Sequence, residues 1–299
     1  MTRSFCLSLA VGLLGPACSK QSADTVPAAG ASTQPSAAAS ATHGPSTSSE
    51  DPAEAIKAAL AGPHRSPENR ARDHYRHPLE TLTFFGLRPD MTVIELWPGG
   101  GGWYTEVLAP ALAETGKLMV TNFDENGPPD AYPTQSAKKL KDKLAGNQDV
   151  YGRVHVITIR PPEQLELGPP DSADMVVTFR NNHGWVKNGY QDKVYAAAFR
   201  VLKKGGVLGV EQHRGNPGID PHKSAPTGYL PEDFVIKTAE AAGFKLVGKS
   251  EINANAKDTK DYPKGVWNLP PSLEGGEQDK AKYLGIGESD RMTLKFVKP

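Results

Sequence analysis

Residues 92–105, TVIELWPGGGGWYT, constrain the fold more than any other part of the chain. Val93, Ile94 and Leu96 form a short apolar run that reads as a buried strand, and the acid Glu95 stands at its carboxyl end. Four consecutive glycines, Gly99, Gly100, Gly101 and Gly102, turn the chain into residues 103–113, where apolar side chains recur at helical spacing. Strand, glycine turn and helix in that order make a cradle of the nucleotide-binding kind. The glycines let backbone approach a ligand closely, the helix start offers N–H groups to a carboxylate, and Glu95 can reach over the turn as an acceptor.

Spacing separates the families that use such a cradle. A phosphate loop ends in Gly-Lys-Ser/Thr, and no lysine lies here. The dinucleotide pattern G-x-G-x-x-G fails at its third glycine, which falls on Tyr104 or Thr105. The sequence Glu95-Leu96-Trp97-Pro98-Gly99-Gly100-Gly101 resembles the first motif of class I S-adenosylmethionine-dependent methyltransferases, an acid followed by h-G-x-G-x-G, with Trp97 where the first glycine usually stands. It is closest to a group of bacterial methyltransferases with a W-P-G-G-G-W-Y-T turn and an N-H-x-W loop. The bland alternative is a glycine-rich turn that binds nothing.

The chain of 299 residues carries 34 basic and 34 acidic side chains and a pI near 7.1, a balance that argues against a nucleic-acid partner. Its start is distinct. Arg3 precedes an apolar segment at residues 5–14, then Gly15-Pro16-Ala17-Cys18, which reads as a secretory signal. Both cysteines, Cys6 and Cys18, lie in it, so the rest of the chain has no disulfide, thiolate metal site or cysteine nucleophile. The signal resembles that of bacterial lipoproteins, which implies an acylated Cys18; ordinary cleavage after Ala17 is the alternative. Residues 19–52 are rich in Ala, Ser, Thr and Pro and read as a disordered tether.

The folded part is expected over residues 53–299. Within residues 53–90, a helical lid, the stretch 63–78 is dense in Arg and His; Arg72, His74, Arg76 and His77 suit an anionic or polar group, while a solvated connector is the plain alternative. Further strands are expected at residues 118–121, 154–159, 171–179, 207–210, 244–247 and 291–297, the last antiparallel. A helix at residues 194–202 is expected to end in the basic glycine stop 203–206, and residues 253–289 form a capping insertion. The alternation implies an α/β fold, Rossmann-like and doubly wound, with a seven-stranded sheet that is mostly parallel. The order of elements over residues 53–299 resembles the same methyltransferase class.

Five polar segments each follow a strand and should meet along one edge of the sheet, where open α/β sheets bind ligands. The resemblance implies S-adenosylmethionine as cofactor, held by Glu95, by Trp97, Pro98, Gly99, Gly100, Gly101, Gly102, Trp103 and Tyr104 of the turn, and by Asn122, Asp124, Glu163 and Arg180. Asn122 stands where the family has the acid that grips the ribose hydroxyls, with Asp124 two residues later. His183 is the candidate base, because an ordinary histidine pKa suits proton removal near neutrality; Asn182 and Arg180 complete the catalytic set. Asn181, Trp185, His213, Arg214 and His77 are candidate substrate contacts, and no cluster has metal-ligand spacing. The expected function is methyl transfer to a small-molecule or envelope-associated acceptor. The alternative is an inactive methyltransferase-like binding module. Export to the periplasm is expected, with membrane contact only through an N-terminal lipid anchor on the outer membrane.

Overall fold

The computed structural model describes residues 51–299; the signal segment, Cys18 and the tether up to residue 50 lie outside them. Seven strands form one sheet: β1 (Thr92–Leu96), β2 (Lys117–Phe123), β3 (His155–Ile159), β4 (Ala173–Phe179), β5 (Leu202–His213), β6 (Lys245–Ser250) and β7 (Arg291–Val297). Their order is β3-β2-β1-β4-β5-β7-β6. Pairs from β3 through β5 are parallel, and β7 runs antiparallel to both β5 and β6. The doubly wound, mostly parallel sheet with an antiparallel last strand is therefore the fold of this chain.

Alternation along buried strands explains the two layers. On β1, Val93 joins a core with Leu82, Phe85, Val107 and Leu140, while Ile94 and Leu96 join a second core with Val194, Val201 and Val235 on the opposite face. From β1 the chain runs outward through β2 and β3, then returns to place β4 on the other side of β1. The strand order reverses at that point, the place beyond the carboxyl ends of β1 and β4 where open α/β sheets bind ligands.

Three expected boundaries are corrected. Asp51 caps a helix over Pro52–Ala61 by accepting from the Ala53 N–H at 3.0 Å, so helix replaces the last residues assigned to the tether. The run Lys203-Lys204-Gly205-Gly206 is the start of β5 and not a helix stop: the helix ends at Val201, Lys203 pairs with Asp174 at 2.7 Å, and the Gly205 N–H reaches the Lys298 carbonyl. Residues 180–185, expected as a loop, lead into a helix over Asn182–Lys187.

The N-terminal helix Pro78–Phe85 packs on the sheet through the Phe85 ring, and β5 admits it only because residue 209 is glycine. A Cβ at Gly209 would lie 2.6 Å from the ring. Gly209→Val is expected to destabilise the chain by about 1–3 kcal/mol, read as a lower urea midpoint at unchanged slope. An unchanged midpoint would show that Phe85 yields freely.

Candidate functional site

The crevice is built first by the turn after β1. Trp97 adopts φ 48, the left-handed region that glycine enters freely and a tryptophan enters at a cost of about 1–3 kcal/mol. That conformation carries the indole to the Ile94 and Leu96 side of the sheet, with Phe123 (ring centroids 6.1 Å) and Trp185 (5.2 Å) beside it, while the Trp97 backbone N–H donates to Thr121 Oγ1 at 2.8 Å. Glu95 faces the other way. Its carboxylate is buried and accepts from Thr105 Oγ1 at 2.6 Å, and its second oxygen has no hydrogen-bond partner among the described residues. Burial raises its pKa to about 7, against the lowering effects of Thr105 and Arg180.

The glycine turn is packed on one side and open on the other. A Cβ on Gly100 would meet Lys139 at 2.9 Å, and one on Gly102 would crowd Thr105 and Leu140. At Gly99 and Gly101 an added Cβ meets nothing within 4 Å. A half-satisfied buried acid beside open glycines, at the point where strand order reverses, fits the methionine end of a sulfonium nucleoside. Such a ligand carries the ammonium that Glu95 lacks as a partner.

The remaining expected cofactor residues divide. Trp103 and Tyr104 point away from the open side. The Trp103 indole donates to the Asn69 carbonyl at 3.1 Å and lies between the guanidinium groups of Arg65 and Arg76, 5.1 and 4.6 Å from its ring. Tyr104 stacks on Phe179 at 3.4 Å and donates to Glu211 Oε2 at 2.9 Å. These two residues fasten the 63–77 segment and the end of β5 to the sheet, a correction to their expected place at the cofactor. Asn122 is also committed: its amide donates to the Ala137 carbonyl, and its oxygen accepts the Phe123 N–H. Asp124 keeps a carboxylate near the β2 end, paired with Arg160 at 2.9 Å, and Glu163 is exposed beyond β3.

Arg180, with φ 64, turns the chain at the end of β4 and bonds Glu211 Oε1 at 2.8 Å. Around it the structure joins Arg72 and Arg76, which the sequence marked, to Glu288 and Arg291, which no local pattern marked. Glu288 binds Arg72 at 2.7 Å and Arg76 at 3.0 Å, and Arg291 bridges Glu288 and Glu211 at 3.1 and 3.2 Å. Burial alone would raise both glutamates; Arg291 and Arg180 hold Glu211 below its ordinary pKa, and Arg76 and Arg291 hold Glu288 at about 2.

The helix after β4 yields the main correction. Gln212, at the end of β5, accepts from the Asn182 N–H through Oε1 at 3.1 Å and donates through Nε2 to the Gly228 carbonyl at 2.8 Å. Those two backbone partners fix the amide's orientation, so its N–H faces His183 Nδ1 at 3.4 Å. The same Gln212 nitrogen lies 3.4 Å from the His213 carbonyl, and in the arrangement where it donates to His183 Nδ1 the ring proton sits on Nε2. Burial lowers the His183 pKa to about 4 against the raising effect of the Gln212 bond, with Lys187 and Arg180 adding to the lowering. His183 is a neutral N–H donor, and the expectation of a base with an ordinary pKa does not hold.

Asn182 and Trp185 are each 2% exposed, Asn182 bonding Tyr195 and Trp185 packing between Trp97 and Tyr195. Both point inward, so Asn182 does not stand free as the catalytic residue expected, nor Trp185 as the substrate contact. Asn181 spends its amide on the Leu96 and Trp97 carbonyls at 2.9 and 3.2 Å, joining the ends of β1 and β4. His213 lies 5.6 Å from His183, bonds Ser289 Oγ at 2.5 Å, and is kept neutral by burial and the His183 and arginine neighbours. Arg214 is an ion-pair hub for Glu232, Glu251 and Asp290, and with them lines a separate cavity of about 620 Å³. His77 bonds Asn253 at 3.3 Å and so anchors the N-terminal segment. From the 253–289 insertion, Trp267 stands 5.7 Å from the His183 ring; it was a tryptophan in a polar stretch, the one signal sequence offered for it.

No protein-family model matches the chain, and no curated protein matches it in sequence. Solved structures do match. A SAM-dependent methyltransferase from Aquifex aeolicus is 16% identical, with 83% of this chain and 99% of that one covered and a TM-score of 0.50. The [4+2]-cyclase SpnF is 16% identical over 80% of this chain and 86% of its own, with a TM-score of 0.51. The fold is the Rossmann-like fold of S-adenosylmethionine-dependent methyltransferases.

Two outcomes follow. Because the folded pKa of Glu95 lies above its unfolded value, its favourable contribution is present below about pH 4.5 and is lost as pH rises through about 7. Glu95→Gln should match the native chain in thermal stability at low pH and exceed it at pH 8, by about 3 kcal/mol at most. An equal offset at both pH values would contradict the assignment. In nitrogen NMR, His183 should show the Nε2–H tautomer with no titration above pH 5; a midpoint near 6.5 would restore it as a base.

Proposed function

We propose that the chain is an S-adenosylmethionine-dependent methyltransferase acting on a small-molecule or envelope-associated acceptor. The observation that carries this is the pairing of Glu95, buried with an unused oxygen, with the open side of the turn at Gly99 and Gly101. When bound, S-adenosylmethionine supplies an electrophilic methyl group on a sulfonium sulfur. Glu95 would accept from the ammonium of the cofactor, and the Gly99–Gly102 backbone would border its methionine end. Asp124 would take the ribose after giving up part of its pairing with Arg160. His183 would orient the acceptor through its Nε2–H, and the 63–77 segment with Trp267 would limit water.

Catalytic inactivity is the second reading, favoured by Trp97 at the motif's first glycine and by Asn122, whose amide is committed to backbone. SpnF, a [4+2]-cyclase, fits the rule that this fold does not fix one reaction. The N-terminal sequence supports export to the periplasm with Cys18 as a lipid anchor, and a lipid-associated substrate suits that location.

Calorimetry on the full chain separates the two. Saturable heat with S-adenosylmethionine is expected at pH 8, weakening about tenfold per unit once pH falls below 7 as Glu95 takes up a proton. Gly101→Val, which fills the open side, should abolish it. No heat at millimolar cofactor would remove the methyltransferase reading.

A further inference from the structure

The charges around Glu211 do not balance. Four guanidinium groups, from Arg72, Arg76, Arg180 and Arg291, share two carboxylates, Glu211 and Glu288. The interior of this cluster is dry: the side chains of Arg76, Arg291, Glu211 and Glu288 are at most 5% exposed. Arg72 and Arg180 form its rim, at 21% and 17%. Each rim arginine uses a single side-chain nitrogen within the described residues, Arg72 Nε on Glu288 and Arg180 Nη1 on Glu211. Their other donors are left for something outside the protein.

Excess like charge in a buried site is unfavourable unless a counter-charge arrives. The arginines respond unequally: burial and Arg180 lower Arg76 well below its ordinary pKa, burial lowers Arg72 despite Glu288, and at Arg180 the effect of burial is outweighed by Glu211 and Glu288, which hold it above its ordinary value. Neither His183 nor His213 adds charge, since both are neutral, and Arg214 is satisfied by its own acids. A bound sulfonium nucleoside carries two positive groups and one carboxylate, a net positive charge, so the deficit is one of anions. The four arginines also come from three separate parts of the chain, the 63–77 segment, the end of β4 and the start of β7, which converge on this point.

We propose that the substrate of this site carries an oxyanion, a carboxylate or phosphate group, that docks on the free guanidinium edges of Arg72 and Arg180. The proposal rests on the methyltransferase reading for the word substrate, but the anion site itself does not. Planar guanidinium groups match the two or three oxygens of such groups and form charge-assisted bonds that a neutral acceptor would forgo.

The test follows thermal unfolding of the full chain during titration with sodium acetate and with inorganic phosphate, at constant ionic strength set by chloride. Phosphate stabilises many proteins by exclusion, so the readout is the difference between the native chain and Arg72→Gln. Arg72 is partly exposed, and its replacement leaves Arg76 and Arg291 on Glu288. Saturable stabilisation by either anion is expected, weakened at least about tenfold in Arg72→Gln and partly restored in Arg72→Lys. Which anion saturates at lower concentration decides between carboxylate and phosphate. The stabilisation should persist when S-adenosylhomocysteine is saturating. Equal responses in the native and Arg72→Gln chains would overturn the proposal, and so would its loss on adding S-adenosylhomocysteine, which would assign the arginines to the cofactor's own carboxylate. Should S-adenosylhomocysteine not bind at all, the cofactor reading fails while the anion response still stands or falls by itself.

Discussion

Glu211 is the point on which the carboxyl edge of the sheet converges. It is fully buried at the end of β5, and through it Tyr104 from the turn after β1, Arg180 from the end of β4 and Arg291 from the start of β7 are tied to one carboxylate. Arg291 then passes the connection to Glu288, which holds Arg76 and Arg72 of the N-terminal segment. Buried ion pairs of this kind contribute little net stability, because desolvation offsets attraction. Their effect here is positional: they hold four separate chain segments over one crevice, which apolar packing alone would leave free to slide.

Three of the six non-glycine residues with positive φ among the described residues border the same place. His77, Trp97 and Arg180 all adopt positive φ without being glycine, and they stand at the start of the Pro78–Phe85 helix, after β1 and after β4. Strained non-glycine residues persist where the surroundings over-determine them, and they cluster at functional sites. For Trp97 the consequence is visible. Its indole is carried away from Glu95, so the motif's missing glycine is replaced by a residue that keeps the glycine's conformation and leaves the acid's side of the turn open.

Much of the fold was legible in the sequence, because buried strands and amphipathic helices leave apolar runs of different period. The β7 strand was placed to the residue, and the strand, turn and helix around Gly99 fell where expected. Errors arose where local composition is silent about direction. Asn182, Trp185, Trp103 and Tyr104 sat in polar or aromatic clusters that looked like a site, yet a sequence does not say which way a side chain turns, and these turn inward. Glu288 was invisible because its partners Arg72 and Arg76 lie more than two hundred residues away, and Arg291 because its ion pair with Glu211 joins the start of β7 to the end of β5, strands distant in sequence. His183 was chosen for an ordinary pKa that burial removes, and Gln212, which fixes its tautomer, carries no signal of its own.

The central claim is that the crevice between β1 and β4 holds a sulfonium nucleoside against Glu95. Hydrogen–deuterium exchange on the full chain, with and without S-adenosylhomocysteine, tests it most directly, since exchange reports local opening segment by segment. The account predicts slowed exchange in residues 95–105 and 180–187, with β6 unchanged. Identical exchange in both samples, or protection confined to the separate cavity beside Arg214, would contradict it.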